Sequence, residues 1–294
     1  MYNKQNSRSI LFALRSLWHR NAILNLNEFF QSDSLRQKII ESNLFIFTQL
    51  TRPVFYKNSS ALERFNIITK HFCFMEKMFG DNVVKNIYLE SGVCLWAESY
   101  KEQTLSLNLK FCKSEIREGL LTLGLKLDNK SIYHINFWIT SNANRNAILN
   151  IGTLQGSRNG LAINKELTKH FFGYRPKNLV VYALRIIAQS LSIDKIYAVS
   201  DYGFYANNHI PWNRKIQPNL NKFWEEIEGI HSEDQRFFSI PLIETRKSIE
   251  EVASHKRNLY RKRFAVLDKI AEDILTTLDL SLKVKIKKQT ETIC

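Results

Sequence analysis

Two runs of strict alternation constrain this chain more than anything else in it. Leu105, Leu107, Leu109 and Phe111 interleave with Ser106, Asn108 and Lys110, and Leu121, Leu123, Leu125 and Leu127 interleave with Thr122, Gly124 and Lys126. A period of two sends successive side chains to opposite faces, so both runs predict strands with one apolar and one polar face. Val93 to Ala97, Ile132 to Ile139 and Ala147 to Ile151 read as their neighbours. Short connections, Asp128-Asn129-Lys130 and Ser141 to Arg145, favour antiparallel hairpins and a sheet of about five strands.

Around this sheet the period lengthens to that of a helix. Ile10, Leu11, Leu14, Leu17 and Trp18 recur at helical spacing, with Arg8, Arg15 and Arg20 elsewhere on the wheel. This predicts a helix packed on the rest of the fold; the alternative is an amphipathic helix on a membrane surface. Ser60 to Phe79 gives another helix, ended by Gly80. After Ile151 comes Gly152-Thr153-Leu154-Gln155-Gly156-Ser157-Arg158-Asn159-Gly160, whose regularly spaced glycines predict a loop that bends sharply or approaches something closely. Its spacing is that of neither a Walker A loop nor a dinucleotide fingerprint. Helices are expected near Ile163 to Phe171 and from Pro176 to Leu191, then a buried strand from Lys195 to Ser200. Tyr202 to Asn221 reads as a long surface loop and Phe237 to Leu242 as a last strand. Ser248-Ile249-Glu250-Glu251 has the capping-box form and predicts the start of the final helix, whose stripe is Tyr260, Phe264, Leu267, Ala271, Ile274 and Leu278.

The expected fold is α+β: a mixed, mostly antiparallel sheet with flanking helices. Residues 1–90 form a helical N-terminal region, 91–278 the α+β domain, and 279–294 a disordered basic tail. Cys73, Cys94, Cys112 and Cys294 are scattered, which argues against a disulfide framework or a zinc site and fits a reducing cytoplasm. No secretory signal and no membrane-length apolar run is read, so the expectation is a cytoplasmic protein, peripheral to the inner membrane if it meets one. The formal charge is +14, from 42 Lys and Arg against 28 Asp and Glu. Such an excess attracts nucleic acid, anionic lipid or phosphorylated substrates without choosing among them.

Charge position is more specific than charge total. A helix N-terminus carries about half a positive charge, yet Arg175 and Lys177 sit where the helix after Gly173 opens. Either both side chains point into water, or an anion such as a phosphate sits among them. Lys256, Arg257, Arg261, Lys262 and Arg263 crowd two turns of the last helix, either as a solvated face or as a second anion clamp folding back towards Arg175 and Lys177. Glu118, before Gly119, and Asp201, at the C-terminal end of a strand, are the candidate general bases. His134 within a strand reads as structural, His209 as a loop residue, and Glu225 and Glu226 as helix surface.

From Glu118 onwards the chain resembles the VirK/YbjX-like family of bacterial proteins. The resemblance is carried by Arg117-Glu118-Gly119, by Ile151-Gly152-Thr153-Leu154-Gln155-Gly156, and by Arg175-Pro176-Lys177-Asn178-Leu179 with Ile196 to Ser200. It continues in Phe223-Trp224-Glu225-Glu226 and in Ser254 to Phe264. It implies a Gram-negative protein associated with virulence and with envelope resistance to antimicrobial peptides, and no established reaction. The order of strands, glycine turn, basic turn-to-helix and further strand is also similar to GNAT-type N-acyltransferases, in which amides at a helix start hold the pyrophosphate of acyl-CoA. Their glycine loop is absent, and Asn178 and Val180 stand where glycines would be expected. The likeness implies acyl-CoA or another phosphorylated acyl donor, and the departure, a bulkier loop, favours exclusion of CoA and acceptance of another phosphorylated or carrier-bound donor.

Together these readings give two expectations. The first is an acyl- or aminoacyl-transferase-like enzyme acting on an envelope component or its precursor. Arg175 and Lys177 would hold the donor phosphate, aided by Arg158, Lys256, Arg257 and Arg261; Gly152, Gln155 and Gly156 would shape the cleft, and Glu118 or Asp201 would serve as base. The second is a non-enzymatic basic protein binding anionic lipid, lipopolysaccharide precursor or nucleic acid.

Overall fold

The computed structural model of the chain describes residues 6–208 and 219–283. The chain opens with α1 (Asn6–Trp18), α2 (Arg20–Gln31), α3 (Ser34–Ser42), α4 (Ile46–Leu50), α5 (Ala61–Met78) and α6 (Asp81–Leu89). Local chemistry sets several of these boundaries. Asp33 caps α3 by accepting from the amides of Leu35 and Arg36, and Ser60 with Glu63 forms a capping box on α5.

The sheet is built from β1 (Val93–Tyr100), β2 (Gln103–Lys110), β3 (Leu121–Leu127), β4 (Lys130–Ser141) and β5 (Ala147–Gly156). Next come α7 (Leu161–His170), α8 (Pro176–Ser190), β6 (Lys195–Val199), α9 (Leu220–Glu226), β7 (Ile230–His231), β8 (Phe237–Ile240) and α10 (Arg257–Ser281). The described sheet has eight strands in the order β1-β2-β3-β4-β5-β6-β8-β7. Its pairs are antiparallel except β5–β6, joined through α7 and α8. The alternating leucines form the apolar face, which α8 covers with α10 packed beyond it. Ten of the residues of α8 are buried, because it is sandwiched between sheet and α10.

The helical layer is tied to the sheet by polar as well as apolar contacts. His71 of α5 is fully buried; its Nδ1 accepts from the amide of Ile139 at 3.1 Å, and its Nε2 lies 2.7 Å from the Tyr88 hydroxyl. Burial pushes the His71 imidazole down to about 3, so it is neutral and can accept there. Buried Arg64 donates to the carbonyls of Leu50 and Ser59. It thereby fixes the loop whose Phe55 and Tyr56 pack on Trp138 of β4. At the other end of the chain, Leu282 forms a β-bridge with Phe79, and the amide of Lys283 donates to the Met78 carbonyl at 2.9 Å.

Four expectations need correction. The sheet is larger than five strands: the two later strands expected from sequence join it as β6 and β8, and the two-residue β7 is added. The glycine-spaced run does not begin a loop at Gly152: β5 continues to Gly156 because the twelve-residue β4 pairs with it that far. The capping-box bonds between Ser248 and Glu251 form, but they close a turn. Extended Ala253 interrupts the chain, and α10 starts at Arg257, burying Leu267, Ile270, Ile274 and Leu278. Lastly, the apolar stripe of α1 does not pack on the fold: Ile10, Leu14, Leu17 and Trp18 are 58%, 59%, 72% and 87% exposed.

Gly152 is the tightest point of the sheet, since a Cβ there would overlap the Glu118 carbonyl oxygen. Gly152→Ala is expected to cost about 1–3 kcal/mol in urea denaturation. Gly124→Ala, whose Cβ would lie 3.9 Å from its nearest neighbour, stays within about 0.5 kcal/mol of the parent.

Candidate active site

The β4–β5 ladder carries a bulge. Asn136 pairs with Thr153 and Phe137 with Ile151, leaving Gly152 as the extra residue. The turn from Ile116 to Leu120 is fastened over this bulge. The Ile116 carbonyl accepts from Gln49 Nε2, the Arg117 carbonyl accepts from the Phe55 amide at 2.7 Å, and the Leu120 amide donates to the Phe137 carbonyl at 3.0 Å. Gly119 fits because a Cβ would come 2.6 Å from the Phe137 nitrogen. Glu118 is thereby held above the polar face of the sheet, opposite the leucine-rich side.

Its carboxylate is gripped by side chains from two strands. Glu118 Oε2 accepts from Gln155 Nε2 at 2.7 Å and from Asn136 Nδ2 at 3.1 Å. Asn136 is oriented in turn by Thr122, whose hydroxyl donates to Asn136 Oδ1 at 2.7 Å. A second carboxylate, Glu115, lies 3.5 Å from Asn136 Nδ2 and 3.9 Å from His134 Nε2. Burial pushes the Glu118 carboxyl up to about 7, helped by repulsion from Glu115; the bonds from Asn136 and Gln155 and the charge of Arg117 act against it. Burial also lowers His134, against the pull of Glu115. Near neutral pH Glu118 therefore populates both protonation states, as a group that accepts and returns a proton must.

The place is also a topological one. β5 pairs with β6 over Ile148–Ile151 and then runs on to Gly156, while β6, paired with β8 along its other edge from Ile196, ends at Val199. The parallel strands part at Gly152, and Gln155 belongs to the parted segment. Crevices at the carboxyl ends of parallel strands are where open α/β sheets bind ligands.

Of the residues singled out from sequence, Glu118, Gln155 and Gly152 come together here. Gly156 packs on the Tyr133 ring, and Arg158 is exposed in the turn beyond. Arg175 and Lys177 converge on one atom: Glu226 Oε2 lies 2.9 Å from Arg175 Nη2 and 3.2 Å from Lys177 Nζ. Burial tends to raise Glu226, but these two cations outweigh it and hold the carboxyl below its usual range. Pro176 brings no N–H, and the amides of Asn178 and Leu179 donate to the Arg175 carbonyl, so side chains dominate this helix start. Asp201 accepts from the amides of Leu220 at 2.7 Å and Asn221 at 3.4 Å, capping α9. Lys256 and Arg261 are exposed, and Arg257 donates to the carbonyls of Val252 and Glu250. Arg263 is the member of that cluster that folds back, donating twice to the Phe172 carbonyl at 3.0 and 2.8 Å. His209 lies outside the described residues.

Sequence reasoning passed over Asn136, Thr122 and Glu115 as site residues, and read His134 as structural and Glu226 as helix surface. The available signal was the polar half of the alternation: Thr122, Asn136 and Thr153 are direct cross-strand neighbours, as are Gly124, His134 and Gln155. Among the described residues no three His, Cys, Asp or Glu side chains are grouped to hold a metal, and no helix is long and apolar enough to cross a membrane.

A model of the family "Protein of unknown function (DUF535)" matches residues 2–276. An uncharacterized protein of Haemophilus influenzae is 25% identical over 256 residues, covering 85% of this chain and 83% of that one. The uncharacterized protein YbjX of Escherichia coli is 26% identical over 235 residues, 78% of this chain and 70% of that one. A crystal structure of a protein of unknown function from Aquifex aeolicus aligns with 60% of this chain and 92% of its own at 14% identity, with a TM-score of 0.20 that carries no argument.

The raised Glu118 carboxyl has a signed consequence. Above the ordinary value of 4.5 the unfolded chain releases this proton while the folded chain keeps it up to about 7. Stability from this group is therefore full below pH 4.5 and falls as pH rises to about 7. Glu118→Gln, which mimics the protonated form, is expected to match the parent at pH 4 and to exceed its stability by roughly 1–3 kcal/mol at pH 8 in chemical denaturation.

Proposed function

The chain belongs to the VirK/YbjX-like family of proteins of unknown function, DUF535, and we propose that it is a transferase-like enzyme with Glu118 as its general base. The observation that carries this reading is the buried Glu118 carboxyl, poised near neutrality and gripped by Gln155 where β5 and β6 part. A buried acid with two donors on one oxygen and a second carboxylate nearby is costly for a purely structural role, and its proton affinity suits acid–base work at neutral pH.

An acceptor hydroxyl or amine would lie on the polar face and give its proton to Glu118. The new bond forms between the acceptor heteroatom and the acyl carbon, the bond to the leaving group breaks, and the leaving group departs with that electron pair. Glu118 then returns the proton to it. Asn136 and Gln155 orient the carboxylate throughout. The donor would lie along the parted edge of β5, with its phosphate at the start of α8. Arg175 and Lys177 would hold it by exchanging Glu226 for the phosphate. That exchange costs little, because the paired side chains are 25–45% exposed and such pairs contribute about 0–1 kcal/mol. The parallel β5–β6 pair with its intervening helices supports the likeness to GNAT-type N-acyltransferases, and acyl-CoA is the first donor to try. An envelope component or precursor is the acceptor class that the family resemblance suggests.

Titration of the protein with acyl-CoA, acyl phosphate and aminoacyl adenylate donors, followed by turnover with an envelope extract as acceptor, tests the reading. Turnover is expected to rise with pH to a plateau above about pH 7, and Glu118→Gln to lose about 100-fold or more. Glu226→Gln should tighten donor binding, and Arg175→Ala with Lys177→Ala should weaken it by about 10-fold. Glu118→Gln turning over as fast as the parent sinks the enzyme reading. Donor-independent binding that falls steeply with salt would favour the basic-protein alternative.

A further inference from the structure

A cavity of about 570 Å³ lies between α1, α4 and the turn that precedes Glu118. Among the described residues its wall carries four cations, Arg15, Arg52, Lys113 and Arg117, beside Phe12 and Phe45, and no carboxylate. Gln49 lines it too, fully buried: its Nε2 donates to the Ile116 carbonyl, while its Oε1 has no hydrogen-bond partner. A lone acceptor among cations calls for a ligand that is anionic and also brings a donor such as a hydroxyl.

The helix that forms one wall points to where such a ligand resides. Arg15 lines the cavity, and the same α1 turns Ile10, Leu14, Leu17 and Trp18 to solvent. The exposed Leu62 adjoins Leu17 and Trp18 along a neighbouring groove, with Arg20 at its edge. An apolar helix face ending in an exposed Trp and flanked by Arg is the pattern of a helix lying in a bilayer interface. The +14 charge of the whole chain favours an anionic surface over a neutral one. We propose that α1 docks on an anionic lipid surface and that the adjoining cavity takes the phosphate of a hydroxyl-bearing lipid headgroup. This goes beyond the reaction at Glu118 and stands whether or not Glu118 catalyses.

The test is co-sedimentation of the full chain with phosphatidylglycerol-containing vesicles and with pure phosphatidylcholine vesicles, alongside titration with soluble glycerol 3-phosphate. Binding to the anionic vesicles should be at least about 10-fold tighter than to neutral ones. Leu14→Ser with Trp18→Ser should weaken it by about 10-fold, both side chains being exposed and unneeded for the core. Arg15→Ala with Lys113→Ala should erase the preference for phosphatidylglycerol. Unchanged thermal unfolding of these variants excludes misfolding as the cause. Glu118→Gln should bind vesicles like the parent, which separates this proposal from the transferase reading. Equal binding to both vesicle types, parental binding by the Leu14/Trp18 variant, or binding of glycerol 3-phosphate without any vesicle binding overturns it.

Discussion

A strand that carries one residue more than its partner must put the surplus somewhere, and here the surplus is Gly152. The bulge bends β5 away from β6, and the missing side chain leaves room for the Glu118 backbone to lie against the sheet. Everything of chemical interest on the polar face follows from that contact. It lowers a turn onto the strands, brings a carboxyl within reach of Asn136 and Gln155, and excludes enough water to change that carboxyl's proton affinity. The helical layer completes the arrangement from outside, since Phe55 and Gln49 bond the same turn that Gly152 receives.

The fold was legible in the sequence wherever burial on one side enforced a rhythm. The alternating leucines specified β2 and β3, and the helical spacing after Pro176 specified α8 to within a residue. What stayed hidden depended on partners distant in sequence. β7 is two residues long and has no rhythm to read. The extent of β5 depends on β4 being long enough to pair with it, and a capping box can close a turn when the backbone beyond it is extended, as at Ala253. The stripe of α1 was read correctly as amphipathic, but a pattern cannot say whether its apolar side meets protein or solvent.

The same limit applied at the site. Glu118, Gln155 and Gly152 stand out by residue type and local context, and they do meet. Asn136 and Thr122 matter because of a register that the bulge shifts, and Glu115 because a short turn brings it back beside Glu118. At the start of α8 the cations were legible as either solvated or facing an anion. The nearest one, Glu226, comes from a helix reached only after β6 has crossed the sheet. Asp201, equally well placed at a strand end, spends its oxygens on the amides of α9.

The bridge between Leu282 and Phe79 gives the far end of α10 a duty unrelated to its basic N-terminal turns. That helix spans from the Phe172 carbonyl, which Arg263 holds near the opening of α8, to the junction of α5 and α6 in the helical layer. It works as a tie-rod across the back of the molecule. Trimming the chain back past Leu282 would therefore remove one tie between the layers, at a place remote from Glu118, and leave the bonds of His71, Gln49 and Phe55 to hold the helices on the strands.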